Sequence, residues 1–147
     1  MNKYPGKVMA LDLGDTRIGI ALSDATRTIA KAYQVIKRKS RAEDFTRYQR
    51  IIDEQEVTLL VVGLPLRLDG TDSPQTAWVR DYTAELAANI SVPVTLHDEA
   101  LTTRAAESSL REMGIRGKKA RQRVDAVAAA LILQSFLDEA DSKGVLL

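Results

Sequence analysis

Apolar and polar positions divide the chain into strand-like and helix-like segments. The first third contains three segments with the composition of strands, Lys7 to Gly14, Arg17 to Asp24 and Thr28 to Arg38. The polar turn Gly14-Asp15-Thr16 between the first two is short enough for an antiparallel hairpin. The pattern therefore predicts that the domain opens with three consecutive antiparallel strands.

Helical spacing begins after the third strand. Ser40 and Glu43 match a capping box, and the apolar residues behind them recur at helical intervals. The remaining elements are predicted to be a strand, a helix, a strand and two helices: Val57 to Val62, a helix opening at Ser73-Pro74, Val92 to His97, about Thr103 to Met113, and roughly Ala120 to Ala140. This order favours an α/β fold with a mixed five-stranded sheet and helices on both faces.

Length and hydropathy point to one domain. The 147 residues show no linker, repeat or low-complexity tract, and this length is enough for a buried core. We therefore expect residues 1–147 to form a single domain. No apolar run approaches the roughly 20 residues needed to span a bilayer, and the polar start is unlike a signal peptide. The sequence thus predicts a cytoplasmic protein without a membrane partner.

Composition limits the chemistry. With no cysteine and one histidine, disulfides, thiol catalysis and zinc sites built on thiolates or several histidines are excluded. Any metal must be held mostly by oxygen, which favours Mg²⁺ or Mn²⁺. The net charge of +1 is neutral on nucleic-acid binding, so the distribution of charge has to decide.

Acidic residues stand out where their neighbours are apolar. Asp12 lies inside the first strand, Asp98 and Glu99 end the fifth, and Asp125 opens the most hydrophobic helix. A buried carboxylate needs a basic side chain, a helix N-terminus or a metal ion. Converging carboxylates suit one or two Mg²⁺ ions, and their repulsion should raise at least one pKa. Singly, Asp125 equally fits a helix-dipole role and the Asp98-Glu99 pair a solvated loop.

If the acids converge, neutralising one should stabilise the metal-free protein. The sequence therefore predicts a higher melting temperature for Asp125→Asn in the absence of metal.

Basic residues cluster just before Asp125. Residues 116–123 contain no acid and five basic residues, Arg116, Lys118, Lys119, Arg121 and Arg123. A flexible basic loop there suits a polyanionic substrate, whereas the alternative is a solvated connection. Arg17 is a candidate for contact with phosphate or with an acid. Thr103 is a candidate cap of a helix whose N-terminus receives phosphate.

Four motifs in order make these signals specific: Leu11-Asp12-Leu13-Gly14-Asp15-Thr16-Arg17-Ile18-Gly19-Ile20-Ala21, Val61-Val62-Gly63-Leu64-Pro65, Asp98-Glu99-Ala100-Leu101-Thr102-Thr103, and the ten residues from Asp125 to Gln134. The chain resembles the YqgF family of Holliday-junction resolvases, also described as pre-16S ribosomal RNA nucleases, from about Val8 to Leu137. The resemblance implies a ribonuclease-H-like fold and a substrate that is a ribosomal RNA precursor or branched DNA. It also implies Asp12, Glu99 and Asp125 as metal-holding catalytic acids, with Asp98 beside them.

The chain departs from related patterns at two places. Ala100 follows the acid pair where the family usually has arginine. Gly63-Leu64-Pro65 stands where related resolvases carry a carboxylate, so that Glu99 must substitute from the neighbouring strand.

Two other functions stay open at the level of sequence. A non-catalytic nucleic-acid-binding module would keep the same fold. An ATP-binding phosphotransferase-like domain is the second, because Asp12-Leu13-Gly14-Asp15-Thr16 also resembles the phosphate-binding turn of sugar kinases and actins; those proteins need two such domains. The quaternary state is either a monomer or a homodimer, the latter favoured if a symmetric junction is cut twice.

Overall fold

The computed structural model describes residues 4–99 and 117–142. The elements in these ranges are β1 (Lys7–Leu13), β2 (Arg17–Ser23), β3 (Ala30–Lys37), α1 (Arg41–Gln55), β4 (Val57–Leu64), α2 (Pro74–Ala88), β5 (Val94–Asp98) and α3 (Gly117–Ser142). The helix predicted from about Thr103 to Met113 lies outside the described residues. Each of the other predicted elements is present, with ends shifted by a few residues.

The five strands form one mixed sheet in the order β3-β2-β1-β4-β5. The β1–β2 and β2–β3 pairs are antiparallel, whereas β4 pairs in parallel with both β1 and β5. The first three strands are antiparallel because short turns join them, and the parallel ones follow helical crossovers. The predicted mixed sheet is confirmed, and β1 lies at its centre.

Alternation along β1 assigns each helix to a face of the sheet. Met9, Leu11 and Leu13 belong to the larger hydrophobic core, which includes buried residues of α1 and α2. Val8 and Ala10 belong to a second core with residues of α3. Since successive side chains of a strand point to opposite faces, Asp12 lies on the α3 face.

The helix starts follow the capping chemistry in the sequence, with one change. Ser40 Oγ accepts a hydrogen bond from the Glu43 backbone N–H at 3.2 Å. The capping box predicts that the Glu43 carboxylate accepts a backbone N–H before the helix. Asp44 makes such a contact instead, since its Oδ1 accepts a hydrogen bond from the Lys39 N–H at 3.0 Å. At α2, Ser73 and the residue three positions on make a reciprocal capping box.

The turn after Asp12 is held by Arg38 at the end of β3. Its guanidinium donates to the backbone carbonyls of Gly14 and Asp15, both at 2.9 Å, and lies 4.3 Å from the ring centroid of Trp78 on α2. A planar guanidinium can stack and donate at once. Arg38 therefore joins the β1–β2 turn to the far layer of helices.

Helix α3 corrects two predictions. It begins at Gly117, before the predicted start near Ala120, so Lys118, Lys119, Arg121 and Arg123 lie on a helix and the predicted flexible loop is wrong for them. Lysine, arginine, glutamine and alanine all favour helix, which explains the extension. Asp125 lies eight residues after Gly117. The helix-dipole role considered for Asp125 is therefore wrong, since that effect fades beyond the first turn.

No helix within residues 4–99 and 117–142 combines the length and the apolarity that a membrane crossing requires.

Candidate active site

Two of the predicted acids, Asp12 and Glu99, form a pair at the carboxyl ends of β1 and β5, and a third, Asp125, lies on α3, which covers this face of the sheet. Asp12 occupies the next-to-last position of β1, and its backbone is in register with Gly19 of β2. Glu99 directly follows β5, and its N–H donates to the Leu64 carbonyl at the end of β4 at 3.1 Å. Asp125 approaches from α3. The structure thus pairs Asp12 with Glu99, which is 87 residues later in the sequence, and places Asp125 close enough for its charge to raise the pKa of Asp12.

Asp12 and Glu99 form a hydrogen-bonded carboxyl pair. Burial raises the pKa of Glu99 from 4.5 to about 8, with further contributions from the charges of Asp12 and Asp98. Burial likewise raises the pKa of Asp12 from 3.8 to about 6; the hydrogen bond from Glu99 opposes this increase, and the charge of Asp125 adds to it. Two carboxyl groups joined by a hydrogen bond share a proton near neutral pH. A raised pKa was predicted from repulsion between the acids; Asp12 and Glu99 have raised pKa values, with burial as the larger cause and repulsion as a smaller one.

Asp125 is held by Arg17. The Arg17 Nε–H donates to Asp125 Oδ2 at 2.7 Å, and the side chains are 28% and 20% exposed. The guanidinium lies on the strand next to Asp12, at the start of β2. Of the two roles considered for Arg17, the structure shows the contact with an acid.

Glycine at position 19 allows α3 to come this close. A Cβ at Gly19 would lie 1.9 Å from the Asp125 carbonyl oxygen and 2.6 Å from its carbonyl carbon. Any side chain there would collide with the backbone of α3. Since Gly19 is in register with Asp12, the same residue sets the separation between Asp12 and Asp125.

Glycine at position 63 makes room for Glu99. A Cβ at Gly63 would lie 2.5 Å from Glu99 Oε2 and 2.6 Å from Ile132 Cδ1. The Glu99 carboxyl therefore lies against the end of β4, beside Gly63. That Glu99 substitutes there for a carboxylate of β4 stays a prediction from the sequence.

The His97 side chain connects β5 to α3 through contacts with two residues of that helix. Its Nε2 is 3.0 Å from Ser135 Oγ, and its Nδ1 is 3.7 Å from Glu139 Oε2. Asp98 is exposed at the end of β5 and contributes charge near Glu99.

The predicted nucleic-acid contacts are only partly described. Thr103 and Arg116 lie outside the described residues. The backbone of α3 carries Lys118, Lys119, Arg121 and Arg123 in the turns that lead to Asp125. Sequence reasoning missed the two glycines and Arg38 as site-building residues. Glycine within an apolar strand is the signal of a close backbone approach that would have indicated Gly19.

Among residues 4–99 and 117–142, no three potential metal-ligating side chains lie close enough to hold an ion together. The arrangement consists of one carboxyl pair, Asp12 with Glu99, and a third carboxylate held by Arg17. The donor chemistry nevertheless fits Mg²⁺ or Mn²⁺, because all three are hard oxygen ligands. A carboxyl pair that shares a proton also offers a divalent cation the place of that proton.

A mixed five-stranded sheet with acids at the ends of its central strand and of β5, overlaid by a helix, defines a ribonuclease-H-like protein. The fold matches that of Thermus thermophilus RuvC in complex with a Holliday junction substrate, with a TM-score of 0.56 and 18% identity, covering 92% of this chain and 96% of that one. The fowlpox virus resolvase in complex with Holliday junction DNA matches with a TM-score of 0.50 and 11% identity over 90% and 97%.

The sequence matches the model of the RuvX family, described as Holliday junction resolvase, over residues 6–139. A relative from Roseiflexus sp. (strain RS-1), named "Putative pre-16S rRNA nuclease", is 44% identical over 138 residues, which cover 94% of this chain and 98% of the relative. A relative of the same name from Thermoanaerobacter pseudethanolicus is 42% identical, covering 93% and 99%. The chain belongs to the RuvX family, also called YqgF, as its motifs predicted.

Proposed function

We propose that the chain is a metal-dependent nuclease that hydrolyses phosphodiester bonds of structured nucleic acid at the Asp12–Glu99–Asp125 site. The observation that carries the proposal is the Asp12–Glu99 carboxyl pair at the end of the central strand, with raised pKa values. Acids with strongly shifted pKa values cluster at functional sites more than elsewhere. Folding leaves this pair partly desolvated, which is costly unless the site serves a cation or a reaction.

Asp12, Glu99 and Asp125 would hold Mg²⁺ or Mn²⁺, with Asp98 at the margin of the site. When bound, such an ion activates water and stabilises the charge that develops on the scissile phosphate. Glu99 must first lose the proton it donates to Asp12. Asp125 would offer the ion its second carboxylate oxygen, since Arg17 holds Oδ2, and the Arg17 guanidinium beside it would contact phosphate.

The basic residues of α3 are proposed to hold the substrate. Lys118, Lys119, Arg121 and Arg123 precede Asp125 on one helix. In the sequence, Arg116 directly precedes that helix and Thr103 lies 14 residues before its first residue. Cations beside an acidic site attract a polyanion while the acids process it. The contacts are to the backbone, which DNA and RNA share. We propose that such contacts allow a ribosomal RNA precursor or a branched DNA, as the names of relatives suggest.

We further propose that residues 1–147 form one domain that acts in the cytoplasm, in processing the 5′ end of pre-16S ribosomal RNA or in resolving DNA junctions, as a monomer or homodimer. The alternative of a non-catalytic nucleic-acid-binding module predicts binding without turnover. Family membership weighs against the phosphotransferase-like alternative, which predicts ATP hydrolysis.

A cleavage assay separates these functions. Wild type, Asp12→Asn and the exposed control Asp53→Asn on α1 are given a pre-16S RNA fragment and a four-way DNA junction, each with Mg²⁺, Mn²⁺ or EDTA. We expect metal-dependent cleavage of at least one substrate by wild type and Asp53→Asn, and binding without cleavage by Asp12→Asn. Binding without cleavage by every variant would favour the non-catalytic module, and ATP hydrolysis without cleavage would favour the phosphotransferase.

A further inference from the structure

A small hairpin, Leu66 to Asp72, follows β4 at the end of the sheet where the acids lie. Leu66 and Asp72 form an isolated antiparallel bridge, and the Arg67 N–H donates to the Thr71 carbonyl at 2.9 Å. Leu68, at the tip of this hairpin, is 74% exposed. A leucine is therefore held out into solvent next to the candidate active site.

The hairpin holds its shape through its own contacts. Asp69 Oδ1 accepts from the Thr71 backbone N–H at 3.0 Å and from its hydroxyl at 2.6 Å. Gly70 has φ +84°, which suits glycine at a tight turn. Asp72 at the base forms an ion pair with Arg80 of α2 at 2.9 Å. Little conformational entropy would be lost when the tip binds a partner.

The position of the hairpin relative to the acids follows from the chain. Leu64 accepts the hydrogen bond from the Glu99 N–H, and Leu68 is four residues later. Four residues span at most ~14 Å at full extension. The tip therefore lies within a few nucleotides of any phosphate bound at Glu99.

Leu68 differs from the other exposed large apolar residues of the described chain, which are Tyr4, Ile29 and Tyr33. Tyr4 precedes β1 and Ile29 precedes β3, which run in the same direction. Both residues therefore lie at the end of the sheet opposite to the acids. Tyr33 lies in the middle of edge strand β3. A single exposed apolar residue is ordinary. Leu68 differs because it lies at the end of the sheet where the acids are, on a turn held by its own hydrogen bonds and ion pair.

The charges of the hairpin favour bases over phosphates. Asp72 is neutralised by Arg80, and Arg67 offsets Asp69 within the turn, so the tip carries no excess positive charge. Bases present apolar faces, and leucine is one of the side chains that proteins insert between base steps.

Resting on the proposed nuclease function, we propose that Leu68 is a wedge that enters a base step of the bound nucleic acid and unstacks it beside the scissile phosphate. The hairpin holds the leucine rigidly, its position after β4 places the leucine near the acid pair, and the leucine provides the apolar surface. Such a wedge selects substrates whose bases are readily unstacked, at a branch point or next to a single-stranded segment, over regular duplex.

The test measures base unstacking independently of cleavage. Asp12→Asn protein in EDTA is mixed with a junction or RNA hairpin that carries 2-aminopurine at steps next to the branch. We expect binding to raise the 2-aminopurine fluorescence. In the same background, Leu68→Ala should lose most of that rise and bind the branched substrate about 5- to 10-fold more weakly. That loss is at the low end of what removing an aromatic side chain from a base costs, because leucine offers a smaller apolar surface without a ring.

Ile29→Ala is the matched control, since Ile29 is also an exposed aliphatic residue but lies at the opposite end of the sheet. Leu68→Phe keeps a large apolar side chain and should retain the fluorescence rise. If Leu68→Ala binds and unstacks like its parent, or changes only the oligomeric state on gel filtration, the wedge is wrong while the nuclease proposal stands. If no variant binds either nucleic acid, the proposed function itself fails, and the wedge fails with it.

Discussion

At the scale of single residues, the proton shared by Asp12 and Glu99 makes stability depend on pH. The folded-state pKa of Glu99 is raised from 4.5 to about 8, so the folded protein binds a proton that the unfolded chain releases. The resulting stabilisation is fully present below about pH 4 and is lost as pH rises through 8. We expect the metal-free protein to lose on the order of 3 kcal/mol over this range. Thermal melts in EDTA between pH 4.5 and 8.5 would measure this loss.

Glu99→Gln isolates that effect, because an amide can still donate to Asp12 without titrating. We expect this variant to melt higher than wild type at pH 8 and to show a flatter pH dependence. Glu54→Gln, an exposed change on α1, serves as control. A Glu99→Gln variant with the wild-type pH profile would show that the carboxyl pair does not govern the pH dependence.

Arg17 is the second residue whose change tests the site. Arg17→Gln removes the cation that compensates Asp125 and leaves that carboxylate uncompensated near the Asp12–Glu99 pair. We therefore expect a lower melting temperature in EDTA and a larger increase on adding Mg²⁺ than in wild type. Arg80→Gln, which breaks the exposed pair with Asp72, should change neither quantity by much.

The same ion pair revises the prediction made from sequence for Asp125→Asn. In the structure Asp125 is paired with a guanidinium, so removing its charge leaves Arg17 uncompensated. We now expect Asp125→Asn to melt lower than wild type in EDTA, and Glu99→Gln to be the stabilising change. Parallel melts of the two variants at pH 8 would decide between the two expectations.

At the scale of elements, two glycines control how α3 and β5 meet the central strand. Gly19→Ala should cost about 1–3 kcal/mol of stability and displace Asp125, because the new Cβ meets backbone atoms of α3. Gly63→Ala meets the ends of the Glu99 and Ile132 side chains, which can rotate away. We expect it to keep more stability while altering Mg²⁺ affinity. Melting temperatures with and without Mg²⁺ distinguish the two effects, and equal losses would contradict this account.

Most of the elements could be predicted from sequence because local signals define them. An apolar run closed by glycine marked β1, and Ser73 with Pro74 marked the start of α2. The start of α3 was predicted too late in the sequence. The charges of its first residues suggested a loop, but lysine and arginine also favour helix. The pairing of Arg17 with Asp125 was not specified, since a residue pair more than 100 positions apart is fixed by packing that local pattern does not reveal.

At the scale of the whole molecule, charge is distributed unevenly although the net charge is +1. Lys118 and Lys119 lie near the start of α3, ahead of Asp125. Replacing both by alanine should weaken nucleic-acid binding without changing sequence preference. On duplex DNA the slope of log affinity against log salt should shrink by ~0.9 for each lost phosphate contact. Binding titrations at several salt concentrations would measure it, and an unchanged slope would remove both lysines from the interface.

The wide spacing of the acids in sequence has a consequence for folding order. Asp12 is contributed by the first strand, and Asp125 by α3, which packs across β1, β2 and β3. Contacts of such long range close large loops and form late. During synthesis, the strands of the sheet emerge before the helix that completes the carboxylate cluster. A nascent chain would therefore hold its first acids without the third, and the proposed nuclease activity would arise only when folding is finished.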